Sequence, residues 1–339
     1  MTARATPPRL SIAALILIAT VLLALRVGEP ISLSRALSDP DSLDHAILFR
    51  ARLPRVALGV IAGAGLAASG ASYQGLLRNP LAEPYVLGVA GGAALGATVA
   101  LALAGLATPA SGLALATIVS LSAAVGGALA TAVVYALASR GAESGASRAG
   151  GAAAILLAGV VVNGIASAAI TFVKTLVRAT TAQQLLFWLA GFLDVPTTST
   201  LLVLAGCVAL GSTVLVIDAP RLNLLALGDE HAAHLGVDVT ALERRTFAAT
   251  SLVVGAVVST SGMIGFVGLL VPHIVRRLLG ADHRVVLPMS LVVGGATLVL
   301  CDLLARATFR WVGTEPPVGA ITALVGGPVF LALLWRSRA

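Results

Sequence analysis

The chain has 339 residues, of which 58% are hydrophobic and only 11% are charged. A soluble domain is nearer half apolar and about a quarter charged, so this composition excludes an ordinary soluble protein and indicates a polytopic membrane protein. The net charge of +7 would suggest a nucleic-acid partner in a soluble chain. Here no nucleic-acid motif occurs and the basic residues mostly flank apolar runs, which indicates membrane topology and contact with anionic lipid.

Apolar runs predict ten membrane spans, all helical, because an open sheet cannot satisfy its backbone hydrogen bonds in lipid. The first follows Arg4 and Arg9 and is too long for the apolar part of a signal peptide, so we interpret it as a retained span. The eighth is short and is predicted to be re-entrant or kinked at Pro272. An even number of spans places both termini on one side, and the terminal arginines indicate the cytoplasm. The predicted spans are 10–27, 53–77, 85–106, 112–138, 151–173, 199–217, 245–263, 266–280, 286–305 and 318–335.

The segment 52–88 echoes the segment 244–280. In this alignment Gly63 corresponds to Gly255, and Pro80 corresponds to Pro272. Five spans separate the starts of the two segments, and an odd offset gives opposite orientations. The sequence therefore predicts an inverted repeat, as in many transporters.

The polar stretch 224–243 stands out between the sixth and seventh predicted spans. We expect two short helices there, the first starting at Gly228 and ending at Gly236, the second capped by either Asp238 or Thr240. A capped polar loop between spans offers a binding surface to a soluble partner protein. An ordinary solvated loop is the alternative interpretation.

No metal or disulfide site is predicted. His231 and His234 are three residues apart and do not follow the H-E-x-x-H order of zinc proteases. Cys207 and Cys301 lie inside apolar runs and are interpreted as buried small hydrophobic residues.

Two X-Pro pairs, Asn79-Pro80 and Glu83-Pro84, prevent a regular helix in the segment 75–97. Broken backbone at membrane depth is tolerated only where protein or water covers it. We interpret Asn79 and Leu81 as lining an inner constriction, with a simple tight turn as the alternative.

On the predicted outer side, Arg52 and Arg55 stand three apart at the start of a helix and should project from neighbouring positions. Pro54 between them suits the first helical turn. Arg306 ends the ninth span on the same side, where Asp302 could orient it. The cluster is interpreted either as interfacial anchors or as a basic patch for an acidic partner.

Several motifs together resemble the FecCD-type permease family, the membrane subunits of bacterial ABC importers for iron-siderophores, haem and cobalamin. The motifs occur in the family's order and cover almost the whole chain. The stretch GFLD at 191–194 departs from the small-residue pattern of the family. The matching motifs are RLPR at 52–55, QGLLRNPLAEPYVLG at 74–88, ALGDEHAAHLGV at 226–237, GFVGLLVPHIVRRLLGADHR at 265–284 and EPPVGAITALVGGPVF at 315–330.

The resemblance implies an all-α fold of ten spans that forms one transmembrane permease domain over 1–339. It implies a homodimer with the pore on its two-fold axis, two cytoplasmic ATP-binding subunits and a periplasmic binding protein, all at the bacterial inner membrane. The chain itself would be no enzyme and would bind no cofactor, because ATP and Mg belong to the partner subunit. The substrate stays open among ferric siderophore, haem and cobalamin.

The resemblance and the motifs assign three groups of site residues, with coupling to the ATPase expected over about 224–240. The docking group, for the binding protein, is Arg52, Arg55 and Arg306. The pathway or gate group is Asn79, Pro80, Leu81, Asn163, Lys174 and Arg178, of which the two cations would suit an anionic substrate. The coupling group is Leu227, Gly228, Asp229, Glu230, His231, His234, Leu235 and Gly236.

Two other classes of function compete with this interpretation. An ATP-independent secondary transporter would fit the inverted repeat, but it needs an acid inside the membrane for coupling to an ion gradient. Only Glu83 and Asp302 come near that requirement, and both are predicted to lie near span ends. An integral-membrane enzyme would need a catalytic constellation, and the sequence offers none.

Overall fold

The computed structural model describes residues 7–28, 30–106, 112–143 and 148–336. All regular structure in these ranges is helical, which confirms the predicted fold class. Arg4 and one terminal arginine, Arg338, lie outside the described residues. A π-helical segment, Ala46–Arg52, runs directly into the fourth helix. The α-helices are α1 (Pro7–Arg26), α2 (Leu33–Ser38), α3 (Leu43–His45), α4 (Leu53–Leu76), α5 (Val89–Leu106), α6 (Gly112–Glu143), α7 (Arg148–Leu176), α8 (Ala179–Ala190), α9 (Thr198–Ile217), α10 (Ala219–Leu225), α11 (Asp229–His234), α12 (Val239–Ser261), α13 (Val267–Leu279), α14 (His283–Val312) and α15 (Val318–Arg336).

Every predicted span has a helix at its position among the described residues. Five helical stretches are long and apolar enough to cross a membrane, and three shorter helices, in α1, α5 and α15, are also apolar. The two remaining positions are occupied by α12 and α13. The long stretches are Leu43–Leu76, Thr117–Leu137, Ala153–Leu176, Thr198–Ile217 and His283–Phe309.

Helix α4 lies at the centre of the fold. Its glycines allow the backbones of neighbouring helices to approach it closely. A Cβ added at Gly63 would collide with the backbone oxygen of Gly294 in α14, and one at Gly70 would collide with the backbone oxygen of Gly268 in α13. Lipid supplies no hydrophobic drive between helices, so such close backbone approach is what holds them together. The same device joins α5 to α6, where Gly92 meets the backbone of Gly126.

Helices α4 and α12 run antiparallel. Gly65, at the middle of α4, meets Val253, in the second half of α12. Tyr73, near the end of α4, packs its ring 5.3 Å from that of Phe247, near the start of α12. Opposite direction is what an inverted repeat requires of these two helices, although the repeat itself stays a prediction.

The structure corrects three details of the predicted elements. The second helix of the polar loop is not short, because α12 begins at Val239 and continues through the seventh span, and the short pair is α10 and α11. Pro272 lies inside α13, and the break comes earlier, at Phe266, whose φ of 67° is left-handed. The prediction also missed α8, and it left 28–51 as a loop where α2, α3 and the π-helical segment occur.

Candidate coupling and gating site

The polar loop folds as its local signals predict. Gly228 adopts φ 109° before α11, and Gly236 adopts φ 84° after it. The amides of Gly236 and Val237 bond back to the carbonyls of Ala233 and Ala232, at 2.9 and 3.0 Å. This is the Schellman arrangement, in which a left-handed glycine satisfies the last carbonyls of a helix. Of the two predicted N-caps for the next helix, Asp238 is the one used, since its side chain accepts the amide of Ala241 at 2.9 Å.

The loop has a buried anchor and an exposed apolar edge. Ala232 and Val237 are buried against the rest of the chain, whereas Leu227 and Leu235 are 62% and 57% exposed. A Cβ at Gly236 would meet nothing within 4 Å, so the space beside it is open. The two leucines form an exposed apolar edge on an otherwise polar loop. His231, His234 and Glu230 are exposed beside them.

An ion pair joins this loop to the broken segment that follows α4. The guanidinium of Arg78 lies 2.9 Å from the carboxylate of Asp229, with 34% and 15% of the two side chains exposed. Arg78 itself has a left-handed φ of 49°. One residue later the side chain of Asn79 accepts the amide of Leu81 at 2.9 Å, which forms a tight turn with Leu81 exposed. The polar loop 224–243, called the coupling loop below after its predicted role, is therefore in direct contact with the segment of the predicted inner constriction.

The broken segment 77–88 continues into the protein and meets the second break, at 262–266. A carboxylate oxygen of Glu83 accepts the amide of Phe266 at 2.7 Å, and the hydroxyl of Tyr85 accepts the amide of Ile264 at 2.6 Å. Glu83 is buried. Glu83 therefore lies in a buried junction of the two breaks, between the end of α4 and the start of α5, and its position near a span end stays a prediction.

Asn163 holds the same segment from the side of α7. Its amide nitrogen donates to the carbonyls of Tyr85 and Val86 at 2.7 and 3.3 Å, and its oxygen accepts the amide of Gly91 at 3.2 Å. These contacts give Asn163 a structural task, and its place in the pathway stays a prediction. Of the two predicted pathway cations, Lys174 is half-buried near the end of α7, and Arg178 is exposed just before α8.

Side-chain contacts also fix α10, which precedes the coupling loop. Asn223 donates to Asp282 at 2.6 Å and accepts the amide of His283 at 2.8 Å, so α10 is tied to the start of α14. The buried carboxylate of Asp218 pairs with Arg221 and, at 3.4 Å, with Arg245 of α12. The helix that precedes the loop is therefore tied by side-chain contacts to both α12 and α14.

The predicted docking arginines are bound inside the chain. Arg55 contacts Asp302 at 2.7 Å and also pairs with Glu315. Arg306 pairs with the other oxygen of Asp302 at 3.0 Å, which confirms that Asp302 orients it. Arg52 is only 7% exposed and donates to the carbonyl of Leu25 at 2.8 Å. Arg52 and Arg55 therefore do not present a shared exposed face as predicted, and their docking role stays a prediction.

Comparison with known proteins gives one consistent result. The FecCD transport family matches residues 13–336. A cobalamin import system permease protein, BtuC of Halobacterium salinarum, is 42% identical over 84% of this chain and 72% of its own. A hemin transport system permease protein, HmuU of Yersinia pestis, is 37% identical over 89% and 86%. A solved structure of a metal-chelate type ABC transporter in an inward-facing conformation superimposes with a TM-score of 0.84 at 30% identity, covering 97% of this chain and 99% of that one.

The chain belongs to the FecCD transport family.

As a FecCD-family protein it is a multi-pass permease subunit of the ABC importer type. Such a subunit works with ATP-binding partners and a substrate-binding protein. A permease that depends on a separate ATPase must offer it a surface, and the coupling role of the loop 224–240 stays a prediction. Within the described residues, no group of three His, Cys, Asp or Glu side chains is placed to hold a metal ion.

Proposed function

We propose that this FecCD-family chain forms the translocation pathway of an importer in the bacterial inner membrane, as a homodimer with both termini in the cytoplasm. Two cytoplasmic ATP-binding subunits would hold ATP and Mg, and the permease itself would bind no cofactor and catalyse no reaction. A periplasmic binding protein would deliver the substrate to the outer face.

The observation that carries this proposal is the ion pair between Arg78 and Asp229. It connects the exposed edge of the coupling loop, at Leu227 and Leu235, to the turn at Asn79. A force applied to the loop by an ATPase would reach this inner turn through a direct contact. We propose that Asn79, Pro80 and Leu81 form the inner gate of the pathway. Lys174 and Arg178 would line the pathway near its outer mouth.

The proposed substrate is a metal-bearing chelate of the cobalamin, haem or ferric siderophore class. Relatives at 42% and 37% identity are permeases for cobalamin and hemin, and a third, FhuB of Bacillus subtilis, is an iron(3+)-hydroxamate permease at 36% identity. These relatives agree on a chelate and differ on which one.

Reconstitution tests this function directly. The chain is placed in proteoliposomes with its ATP-binding subunit, and uptake of labelled cobalamin, haem and ferric hydroxamate is measured with the cognate binding protein. We expect uptake of one chelate that requires both ATP and the binding protein. Uptake that follows a proton or sodium gradient without the ATPase would favour a secondary transporter instead.

For the outer arginines to bind the periplasmic binding protein, an ion pair inside the chain would first have to open. Arg55 is occupied by Asp302 and Glu315, so a carboxylate of the binding protein would have to exchange with Glu315, the more exposed of the two acids. We propose that the outer arginines, Arg52, Arg55 and Arg306, form such a latent site. Charge pairs of this kind set register and association rate more than affinity.

A further inference from the structure

A deep groove lies between α6, α9 and α12. Its volume is about 1370 Å³. Small side chains form its floor, since Ala124 and Ala128 of α6 face Gly255 and Ala256 of α12. The Cβ of an alanine at 255 would lie 3.7 Å from the backbone of Ala124, an ordinary van der Waals distance, so α6 and α12 meet along this floor.

The groove opens sideways. Leu121 on one rim and Val203 on the other are exposed, and so is Ala128 in the floor. From Arg244 to Thr260, α12 lines it over 17 residues, or about 24 Å at 1.5 Å per residue. This length compares with the ~30 Å of the bilayer hydrocarbon core. In a membrane-spanning chain, a sideways groove of this length faces lipid.

The two ends of the groove differ in charge. Arg244 and the hydroxyl-bearing Tyr135 lie at the end next to the coupling loop, and Arg244 is exposed there with its Nε on the carbonyl of Thr240 in its own helix, at 3.4 Å. The opposite end carries the exposed acid Asp194, together with Gln184. Between them the wall is largely apolar.

We propose that this groove binds one anionic phospholipid of the leaflet on the coupling-loop side. Its phosphate lies against Arg244 and Tyr135, and one acyl chain runs along the floor of small residues. Charge complementarity decides the orientation, because a phosphate at the other end would meet Asp194. The neighbouring Glu243 of α12 lowers the net positive charge at the Arg244 end, so the site depends on Arg244 itself. The cytoplasmic leaflet is rich in anionic lipid, so this assignment agrees with the proposed orientation of the chain.

Native mass spectrometry of the full chain in detergent micelles tests the site without relying on that orientation. The probes are phosphatidylglycerol and phosphatidylcholine with identical acyl chains. We expect the wild-type chain to retain phosphatidylglycerol preferentially, and Arg244→Gln to reduce that retention about fivefold. Arg277→Gln is the matched control, because Arg277 is an exposed arginine of α13 that does not line the groove.

A second pair of variants tests the position of the acyl chain. Ala128→Phe fills the groove and should reduce retention of both lipids, whereas Ala209→Phe, on an exposed position of α9 outside the groove, should not. Ala132→Leu replaces Ala128→Phe if the larger side chain prevents a monodisperse preparation. Equal retention of the two lipids by the wild type, or unchanged retention by Arg244→Gln, overturns the proposal. So does cross-linking of two chains through Ala128→Cys, which would show that a second copy fills the groove.

Discussion

Breaking the ion pair between Arg78 and Asp229 should uncouple transport from ATP hydrolysis while leaving the fold intact. The two side chains are 34% and 15% exposed, so solvent screens the pair and its contribution to stability falls within about 0.2–1 kcal/mol. The left-handed backbone of Arg78 costs a residue with a Cβ about 1–2 kcal/mol. Arg78→Gly removes both the stabilising ion pair and the destabilising backbone strain. We therefore expect the thermal stability of this variant to equal or exceed that of the wild type.

Coupling should respond differently from stability. A pair worth at most ~1 kcal/mol can shift the equilibrium it biases by about fivefold. Arg78→Gly and Asp229→Asn should therefore each lower the amount of chelate imported per ATP hydrolysed by up to about fivefold. The measurement is uptake and phosphate release from the same proteoliposomes, with Arg284→Gln as a control because Arg284 is another exposed arginine, at the start of α14.

The double exchange Arg78→Asp with Asp229→Arg distinguishes the effect of the ion pair from the effect of each side chain alone. Aspartate tolerates the left-handed backbone at position 78, so the exchange keeps both the local conformation and the attraction. We expect it to restore a substantial part of the coupling lost in Asp229→Asn. Wild-type import per ATP in both single variants would refute the reasoning, and a loss far above fivefold in Asp229→Asn alone would show that this carboxylate contacts the ATPase itself.

Three further predictions concern the coupling loop, the gate and the outer face. Gly236→Val should abolish transport but not membrane insertion, because φ 84° is strained for valine while no neighbour within 4 Å would be displaced; normal substrate-stimulated ATP hydrolysis would contradict it. Cysteines at Asn79 or Leu81 should cross-link between subunits with a yield that depends on nucleotide, and labelling from lipid without cross-linking would remove these residues from the gate. Glu315→Gln should speed docking of the binding protein by releasing Arg55, and Arg55→Glu should slow it, both less so at high salt; salt-insensitive, unchanged association rates would leave Arg55 a structural residue only.

The features that the sequence predicts correctly are those whose causes are local. Helix α11 has a glycine at each end and is followed by the Asp238 cap, all within a few residues of one another. The pair between Asp302 and Arg306 spans one helical turn, so spacing alone suggests it. The span positions follow from apolar runs, which the bilayer imposes on any helical membrane protein.

The features that escaped prediction depend on residues distant in the chain. Arg78 and Asp229 are 151 residues apart, and no pattern near either one indicates the other. The left-handed conformation of Phe266 opposes the preference of a bulky residue, and its amide is held by Glu83, which is 183 positions away. Glu315 was missed for the same reason, since it follows α14 while its partner Arg55 lies in α4.

The position of Glu83 bears on the choice between an ATP-driven permease and an ion-coupled carrier. A buried acid in a multi-pass membrane protein is by default a candidate for ion coupling. Here its carboxylate accepts the amide of Phe266 at 2.7 Å, at the N-terminus of α13, where a helix carries partial positive charge. The hydroxyl of Tyr85 accepts a second amide hydrogen of the same break, that of Ile264. Glu83 thus has a structural task, which is to join the break after α4 to the break before α13. The broken helices that a secondary transporter would use to bind an ion are bound to each other at this junction. The segment that carries Glu83 also carries Arg78, which contacts Asp229 of the coupling loop.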